Sequence, residues 1–154
     1  NRRYKGLARF SAQELMFPQF EAESKEEAID EIARRTAASG FVDDGDEFVQ
    51  QLLDREDLVS TSVGEGLAFP HARNVGASGL TVSVGAFPKG VDFGDDEKVH
   101  LLFISAVPPQ VSVFYIKMVS KLARYFGRPQ NRSRLLACET PHDMWNIFVK
   151  IGAK

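Results

Sequence analysis

The stretch that decides the fold lies near the middle of the chain, from Leu52 to Arg73, with the sequence LLDREDLVSTSVGEGLAFPHAR. Gly64 and Gly66 permit a tight turn between two short strands, with positive φ angles at the glycines. The apolar residues 67–69 anchor the second strand, and Pro70 stops it because proline has no backbone N–H to donate to a sheet. The pattern predicts that His71 is presented at a strand end on a rigid apolar base.

Two helices are predicted on the amino-terminal side of this stretch. Ser24 and Glu27 form a capping box, in which both side chains bind the first free amides of a helix. Apolar residues follow at helical spacing, as expected for a helix with one buried face. A second helix is predicted from about Asp46 to Arg55, with Asp44 or Asp46 as its cap.

Strands are predicted on both sides of the decisive stretch. A short one is expected at Leu15–Phe17, and the alternation of apolar and polar residues at 80–84 predicts another. The run Val99–Ile104 is almost entirely apolar, which is typical of a strand covered on both faces.

Three further helices are predicted after Ser112. The last begins at Thr140 and Pro141, a capping residue followed by a proline at the first helical position, and a short one begins at Pro129. The first of the three ends at Gly127, and its buried stripe is expected to comprise Ile116, Val119, Leu122 or Ala123, and Phe126.

This order of elements predicts a single α/β domain, with a mixed β-sheet and helices packed on both of its faces. A chain of 154 residues is long enough for one proper core. We expect residues 1–9 to form an amino-terminal arm and residues 10–154 to form the domain.

Composition excludes several classes of function. The formal net charge is −2, and no basic block is longer than two residues, so a nucleic-acid partner is not expected. No apolar run approaches the roughly 18 residues of a membrane-spanning helix. The single cysteine, Cys138, excludes an intrachain disulfide and is compatible with a reducing compartment. The glycines do not form a G-x-G-x-x-G dinucleotide motif, because position 69 is phenylalanine.

The three histidines are the candidates for chemistry. A lone histidine is most often a polar surface residue or a hydrogen-bonded one, and we expect that of His100 and His142. The spacing of these residues and His71 does not suit a shared metal ion. Ser60 and Ser62 precede His71, but the G-x-S-x-G elbow of a serine hydrolase is absent from the sequence.

From Arg55 to Arg73, the pattern R-E-D-L-x-S-T-x-V-G-x-G-L-A-F-P-H-A-R resembles the signature of a known family. The family comprises the enzyme IIA domains of the sugar phosphotransferase system, in the fructose/mannitol and nitrogen-regulatory class. Its signature is a Leu-Arg-Glu segment before Ser-Thr, then a Gly-x-Gly turn, an apolar strand and Pro-His. The resemblance extends over most of residues 10 to 150.

The resemblance implies a role for several residues. His71 would accept a phosphoryl group from the phosphohistidine of the carrier protein HPr, and Arg55 would hold the phosphate. Thr61 and Ser62 could donate hydroxyl groups to the phosphate or to the imidazole ring, and Arg73 could add positive charge. A neutral imidazole nitrogen is a good nucleophile near neutral pH, so this chemistry suits a histidine.

The resemblance also implies partners and a location. The phosphoryl group would pass from HPr through this domain to a IIB partner, typically to a cysteine, or would act in a nitrogen-type regulatory branch. No metal or organic cofactor is required by this scheme. The domain is expected to be cytoplasmic, and to meet a membrane only indirectly through a IIC or transporter component.

One position departs from the family pattern. Members usually carry a second histidine in the helix after the apolar strand, where this sequence has Tyr115. A phenol can donate a hydrogen bond to phosphate but carries no positive charge, so we expect weaker phosphate binding. Two hypotheses follow. The intact motif favours a working phosphocarrier, and Tyr115 favours a regulatory IIA-like domain, attached to a transporter or transcription regulator, with weak or no phosphotransfer.

Overall fold

The computed structural model describes residues 4–73, 75–94 and 96–153 of the chain. Within these residues the chain forms six β-strands and five α-helices, with three short 3₁₀ helices at Leu7–Phe10, Gln13–Leu15 and Pro109–Val111. The strands are β1 (Met16–Phe17), β2 (Ser62–Gly64), β3 (Leu67–Ala68), β4 (His71–Ala72), β5 (Thr81–Asp92) and β6 (Lys98–Ala106). The helices are α1 (Lys25–Ala38), α2 (Gly45–Leu58), α3 (Ser112–Phe126), α4 (Pro129–Leu136) and α5 (Pro141–Phe148).

The six strands form one mixed sheet around β6. β5 pairs with β6 in the antiparallel direction over the longest stretch, while β3 and β4 pair with β6 in parallel. β1 lies parallel to β5 at one edge, and β2 lies antiparallel to β3 at the other. The predicted α/β domain with a mixed sheet is therefore confirmed.

Hydrophobic cores lie on both faces of this sheet. Helices α1 and α2 pack on one face, in the core that contains Leu102 and Ile104 of β6. Helices α3, α4 and α5 pack on the other, in the core that contains Leu101 and Phe103. Successive side chains of a strand point to opposite faces, so β6 supplies both cores and must be apolar at nearly every position. This confirms the reason given for its continuous apolar sequence.

Three helices begin at the capping residues that the sequence predicts. The side-chain oxygens of Ser24, Asp44 and Thr140 each accept a hydrogen bond, at 3.1 Å, from the amide of the third helical residue. Pro141 follows Thr140 at the first helical position. These bonds satisfy amides that have no partner inside the helix, and they determine where each helix starts.

The structure differs from the predictions in two helices. Helix α2 continues to Leu58, three residues beyond the predicted end at Arg55. In α3 the predicted buried stripe is wrong at Ile116, whose side chain is 63% exposed. The predicted Leu122 and Phe126 are buried, and Tyr115 and Met118 complete the buried face. The two stripes differ by a small rotation of the helix, and the observed rotation turns Tyr115 toward His71.

The predicted amino-terminal arm packs against the domain where it is described. Leu7 and Ala8 are buried, and the Leu7 amide donates a hydrogen bond to the Ile151 carbonyl at 3.1 Å. The ring of Tyr4 meets that of Trp145 edge-on, with centroids 5.3 Å apart. Residues 1–3 lie outside the described part of the chain. Packing thus continues across the boundary predicted after residue 9, which stays a prediction.

Candidate functional site

His71 lies at an interruption in the strand that follows the glycine turn. β3 and β4 both pair in parallel with β6, and Pro70 lies between them. The Pro70 carbonyl accepts a hydrogen bond from the Ser105 amide at 3.0 Å, but proline has no N–H of its own to donate. His71 therefore begins a second short strand, whereas the sequence predicted it at the end of the first. Because β2 pairs with β3 and not with β4, β4 is the edge of the sheet at His71.

The turn that precedes this strand has the predicted backbone conformation. Gly64 and Gly66 adopt φ angles of +88° and +76°, and Glu65 between them also has a positive φ, +58°. At Gly66 a Cβ atom would lie 3.3 Å from Cδ2 of His100, so space as well as conformation favours glycine. The turn joins β2 to β3 in the register that leads to His71.

The imidazole of His71 is held in its neutral form by its surroundings. The ring is half-buried, and its Nδ1 atom is buried with no well-formed hydrogen bond among the described residues. Burial lowers the pKa of His71 below its usual 6.5, and the positive charges of Arg73 and then Arg55 lower it further. The Phe69 backbone, which favours a proton on the ring, opposes this shift in pKa. An uncharged ring retains a lone pair that can act as a nucleophile.

Two guanidinium groups act on this ring, and each lowers its pKa. Nη1 of Arg55 donates a hydrogen bond to the Val59 carbonyl at 2.8 Å, which holds Arg55 over the carboxyl end of α2. Nη1 of Arg73 donates to Oγ of Ser112 at 3.1 Å, at the start of α3. An arginine side chain has further N–H donors, so neither bond uses up its capacity to bind an anion.

Tyr115 packs directly against His71. The two ring centroids are 5.0 Å apart with the planes tilted by 41°, and the Arg73 guanidinium lies 5.7 Å from the tyrosine centroid. Burial raises the pKa of Tyr115 to about 12, although Arg73 and Arg55 act in the opposite direction. The phenol is therefore uncharged at neutral pH and can donate its proton in a hydrogen bond.

A neutral histidine flanked by two arginines is suited to carrying a phosphoryl group. A family model described as "Phosphoenolpyruvate-dependent sugar phosphotransferase system, EIIA 2" matches residues 9–151. The chain belongs to this family. It is a phosphocarrier component of the EIIA type, which confirms the resemblance found in the sequence.

Individual relatives agree with this assignment. The EIIA domain is 31% identical, over 130 residues, to the fructose-specific EIIA component of Haloferax volcanii, which covers 83% of this chain and 84% of the relative. The nitrogen regulatory protein IIA-Ntr of Neisseria meningitidis has a similar structure, with a TM-score of 0.80, 25% identity and coverage of 92% and 97%. IIA mannitol of Escherichia coli, in complex with phosphorylated enzyme IIB, gives a TM-score of 0.72 at 26% identity, with coverage of 88% and 94%.

Thr61 lies in the site region of the EIIA domain, but its hydroxyl is directed at a carboxylate. Thr61 Oγ1 donates to Oε1 of Glu56 at 2.5 Å, and the Thr61 amide donates to the same carboxylate. Glu56 is only 3% exposed and also accepts a bond from Nζ of Lys25 at 3.3 Å. The threonine therefore ties the carboxyl end of α2 to the chain that enters β2. The role of Glu56 could not be predicted, because no sequence signal shows that a helical glutamate is buried.

The remaining polar candidates fall into two groups. Ser62 Oγ is buried without a hydrogen-bond partner among the described residues. His100 Nδ1 bonds the Phe87 carbonyl at 3.1 Å, and His142 Nδ1 bonds the Gln13 side chain at 3.3 Å. The last two histidines are hydrogen-bonded residues away from His71, as the sequence predicts.

The two segments that carry Val59 and Tyr115 also expose large hydrophobic residues, which we call the apolar rim. The apolar rim consists of large hydrophobic side chains that are exposed at the surface. They occur in two short segments: one is the end of α2 with the strand that follows it, and the other is the first turns of α3. One segment contains Val59, which binds Arg55, and the other flanks Tyr115 in sequence. The residues of the apolar rim are Leu58, Val59, Val63, Val113, Phe114 and Ile116.

Two kinds of feature are absent from the described residues. No group of three or more histidine, cysteine or acidic side chains is arranged to hold a metal ion within residues 4–73, 75–94 and 96–153. In the same part of the chain, every helix is too short or too polar to cross a lipid bilayer.

Proposed function

We propose that His71 accepts a phosphoryl group from the phosphohistidine of an HPr-like carrier and passes it to a IIB partner. The observation that carries this proposal is the setting of His71, a neutral half-buried imidazole beside two guanidinium groups. The phosphorylated enzyme IIB bound to the Escherichia coli mannitol IIA protein supports a IIB domain as the acceptor.

The reactive atom in this proposal is Nε2. Because Nδ1 of His71 is buried, it is closed to an incoming phosphoryl group, so Nε2 supplies the lone pair and Nδ1 carries the ring proton. In the accepting step, Nε2 forms a bond to phosphorus while the bond from phosphorus to the donor imidazole breaks, and the donor nitrogen keeps that electron pair. In the second step, the acceptor side chain forms its bond to phosphorus and Nε2 regains its lone pair.

Arg55 and Tyr115 stabilise the transferred group. Transfer spreads negative charge over the three equatorial oxygens, so fixed positive charge and hydrogen-bond donors do most of the catalytic work. Arg55 supplies charge, and the protonated hydroxyl of Tyr115 supplies a neutral donor. Thr61 acts indirectly in this scheme, because its bonds to Glu56 hold the segment that carries Arg55 and Val59.

The apolar rim supports docking of a protein partner around His71. Exposed hydrophobic side chains that cluster around a polar centre are typical of protein–protein interfaces. Phe114 is 48% exposed and lies one residue from Tyr115. We propose that HPr and IIB each cover the apolar rim in turn and thereby exclude water from the phosphoryl group.

Two further proposals concern the domain boundary and the location of the protein in the cell. Residues 10–154 form the phosphotransfer domain, and the domain works in the cytoplasm, where a free thiol such as that of Cys138 persists. The regulatory alternative rests on Tyr115 alone. The intact motif from Arg55 to His71 supports phosphotransfer, so we favour the working carrier.

Incubation with phosphoenolpyruvate, enzyme I and HPr tests the proposal. We expect the intact mass of the chain to rise by one phosphoryl group, in an acid-labile form that maps to His71. His71→Ala should abolish labelling, while the matched variants His100→Ala and His142→Ala should retain it. Absence of labelling in the wild-type chain would contradict the proposal, as would undiminished labelling of His71→Ala.

A further inference from the structure

We infer that Arg73, held by Ser112 and by the ring of Tyr115, contacts the phosphoryl group on His71 and stabilises it. This inference rests on the proposed function, since it requires a phosphoryl group at that histidine. Tyr115 occupies the position of the family's second histidine and cannot supply positive charge. We infer that Arg73 supplies this charge.

The backbone directs Arg73 to the same side as His71. β4 contains His71 and Ala72, and Arg73 follows directly. Residues i and i+2 of a strand point to the same face. Arg73 lies in a bend just after β4, and its guanidinium reaches the Tyr115 ring that His71 also contacts. Ala72 is correspondingly buried, whereas His71 is half-buried and Arg73 is exposed.

Tyr115 brings the guanidinium and the imidazole into contact with the same ring. Its ring centroid lies 5.0 Å from that of His71 and 5.7 Å from the central carbon of the Arg73 guanidinium. A guanidinium at this distance from a tyrosine face is attracted by the electrons of the ring. The tyrosine therefore acts as a common support for the nucleophile and the cation.

Ser112 fixes the other side of the guanidinium. Its Oγ accepts a bond from Nη1 of Arg73 at 3.1 Å and donates to the Pro109 carbonyl at 3.3 Å. The serine hydroxyl is therefore satisfied as donor and as acceptor. Arg73 is anchored through one nitrogen, and its other N–H groups stay available for phosphoryl oxygens.

The electrostatic effect of Arg73 on the site exceeds that of Arg55. Of the two charges, Arg73 lowers the pKa of His71 more, and it also acts more strongly on the pKa of Tyr115. A cation that disfavours a positive charge on the imidazole favours a negative charge bonded to it. The two arginines thus act together on the phosphoryl group, with Arg73 the stronger.

Kinetics of single variants test this inference. Arg73→Ala, Arg73→Lys and the control Arg134→Ala, an exposed arginine of α4, are phosphorylated with HPr, enzyme I and phosphoenolpyruvate. For Arg73→Ala we expect kcat to fall about tenfold or more with KM for phospho-HPr little changed, a loss smaller than that for a buried oxyanion donor because Arg73 is exposed. Arg73→Lys should recover part of the rate, and Arg134→Ala should match the wild type.

A spectroscopic measurement separates charge from structure. Arg73→Ala should raise the pKa of His71 in an NMR titration, and Arg73→Lys, which keeps the positive charge, should raise it less. An equal rise in both variants would mean that packing and not charge is lost, and it would contradict the inference. Ser112→Ala should lower kcat less than Arg73→Ala does, since it loosens the guanidinium without removing it. Circular dichroism verifies that each variant is folded.

Two failures are distinguishable. The inference is wrong, and the proposed function stands, if the wild-type chain is labelled at His71 while Arg73→Ala keeps kcat within about twofold of the wild type. A change that only raises KM for phospho-HPr counts as the same result. If the wild-type chain is not labelled at all, the proposed function fails, and the inference fails with it.

Discussion

The bond between Thr61 and Glu56 predicts a separation of stability from catalysis. Thr61→Val keeps the shape of the side chain and removes only the hydroxyl. The lost bond joins a hydroxyl to a carboxylate at 2.5 Å, with both residues buried, and Thr61 itself is 6% exposed. Hydrogen bonds to charged groups contribute about 1.5–3 kcal/mol to stability. The Thr61 amide and Lys25 still bind the carboxylate, so we expect a loss of about 2 kcal/mol in the free energy of unfolding.

Trp145 reports this loss directly. It is the single tryptophan of the chain and is buried against Tyr4 and Phe148, so its fluorescence follows global unfolding in urea. A loss of about 2 kcal/mol corresponds to a fall in Tm of about 4–8 °C for a domain of this size. The matched control is Thr81→Val. Its buried hydroxyl donates to the neutral Gly79 carbonyl at 3.1 Å, and its removal should cost only about 1 kcal/mol.

Phosphorylation of the same variant decides the role of the hydroxyl. If Thr61 acts through Glu56, the folded Thr61→Val protein should be phosphorylated at a rate within about threefold of the wild type, well short of the loss on removing a transition-state donor. An unchanged free energy of unfolding together with a phosphorylation rate about a hundredfold lower would contradict this prediction. That result would mean that the hydroxyl donates to the phosphoryl group instead.

Three further predictions concern pH, capping and the glycine turn. The pKa of His71 should lie below 6.5 in an NMR titration, and a value above 6.5 would contradict the burial argument. Because the folded-state pKa is lowered, the contribution of His71 to stability is present above pH 6.5. It is lost as the pH falls through 6.5 toward the folded-state pKa. Ser24→Ala should lower the free energy of unfolding by about 1 kcal/mol in urea, since the α1 amide loses its cap, and an unchanged midpoint would show that water replaces the hydroxyl fully. Gly66→Ala should cost about 1–2 kcal/mol because φ is +76° and the added Cβ presses on His100, whereas a stabilised protein would show that the turn relaxes freely.

Local sequence rules predicted much of this fold. Capping depends on residues within one helical turn, so Ser24 and Thr140 mark the starts of α1 and α5 correctly. The continuous apolar run of β6 indicates burial on both faces without any knowledge of its neighbours. The Gly64–Gly66 turn was also predictable, since glycine adopts a positive φ at little cost.

Features that depend on distant partners were not predictable in the same way. The buried face of α3 differs from the predicted one because Tyr115 contacts His71, a residue 44 positions away in the sequence. Nothing local to Glu56 shows that its carboxylate is buried on Thr61 and Lys25. The bond from Arg73 to Ser112 likewise joins segments that meet only in the folded chain.

The nitrogen that carries the phosphoryl group provides the most direct test of the account. In chain with ¹⁵N-labelled histidine rings, phosphorylated through enzyme I and HPr, phosphorus–nitrogen coupling in NMR identifies the bonded atom. Because Nδ1 of His71 is buried and Nε2 is the nitrogen open to the donor, we expect coupling to Nε2 of His71. Coupling to Nδ1, or to a ring nitrogen of His100 or His142, would contradict it.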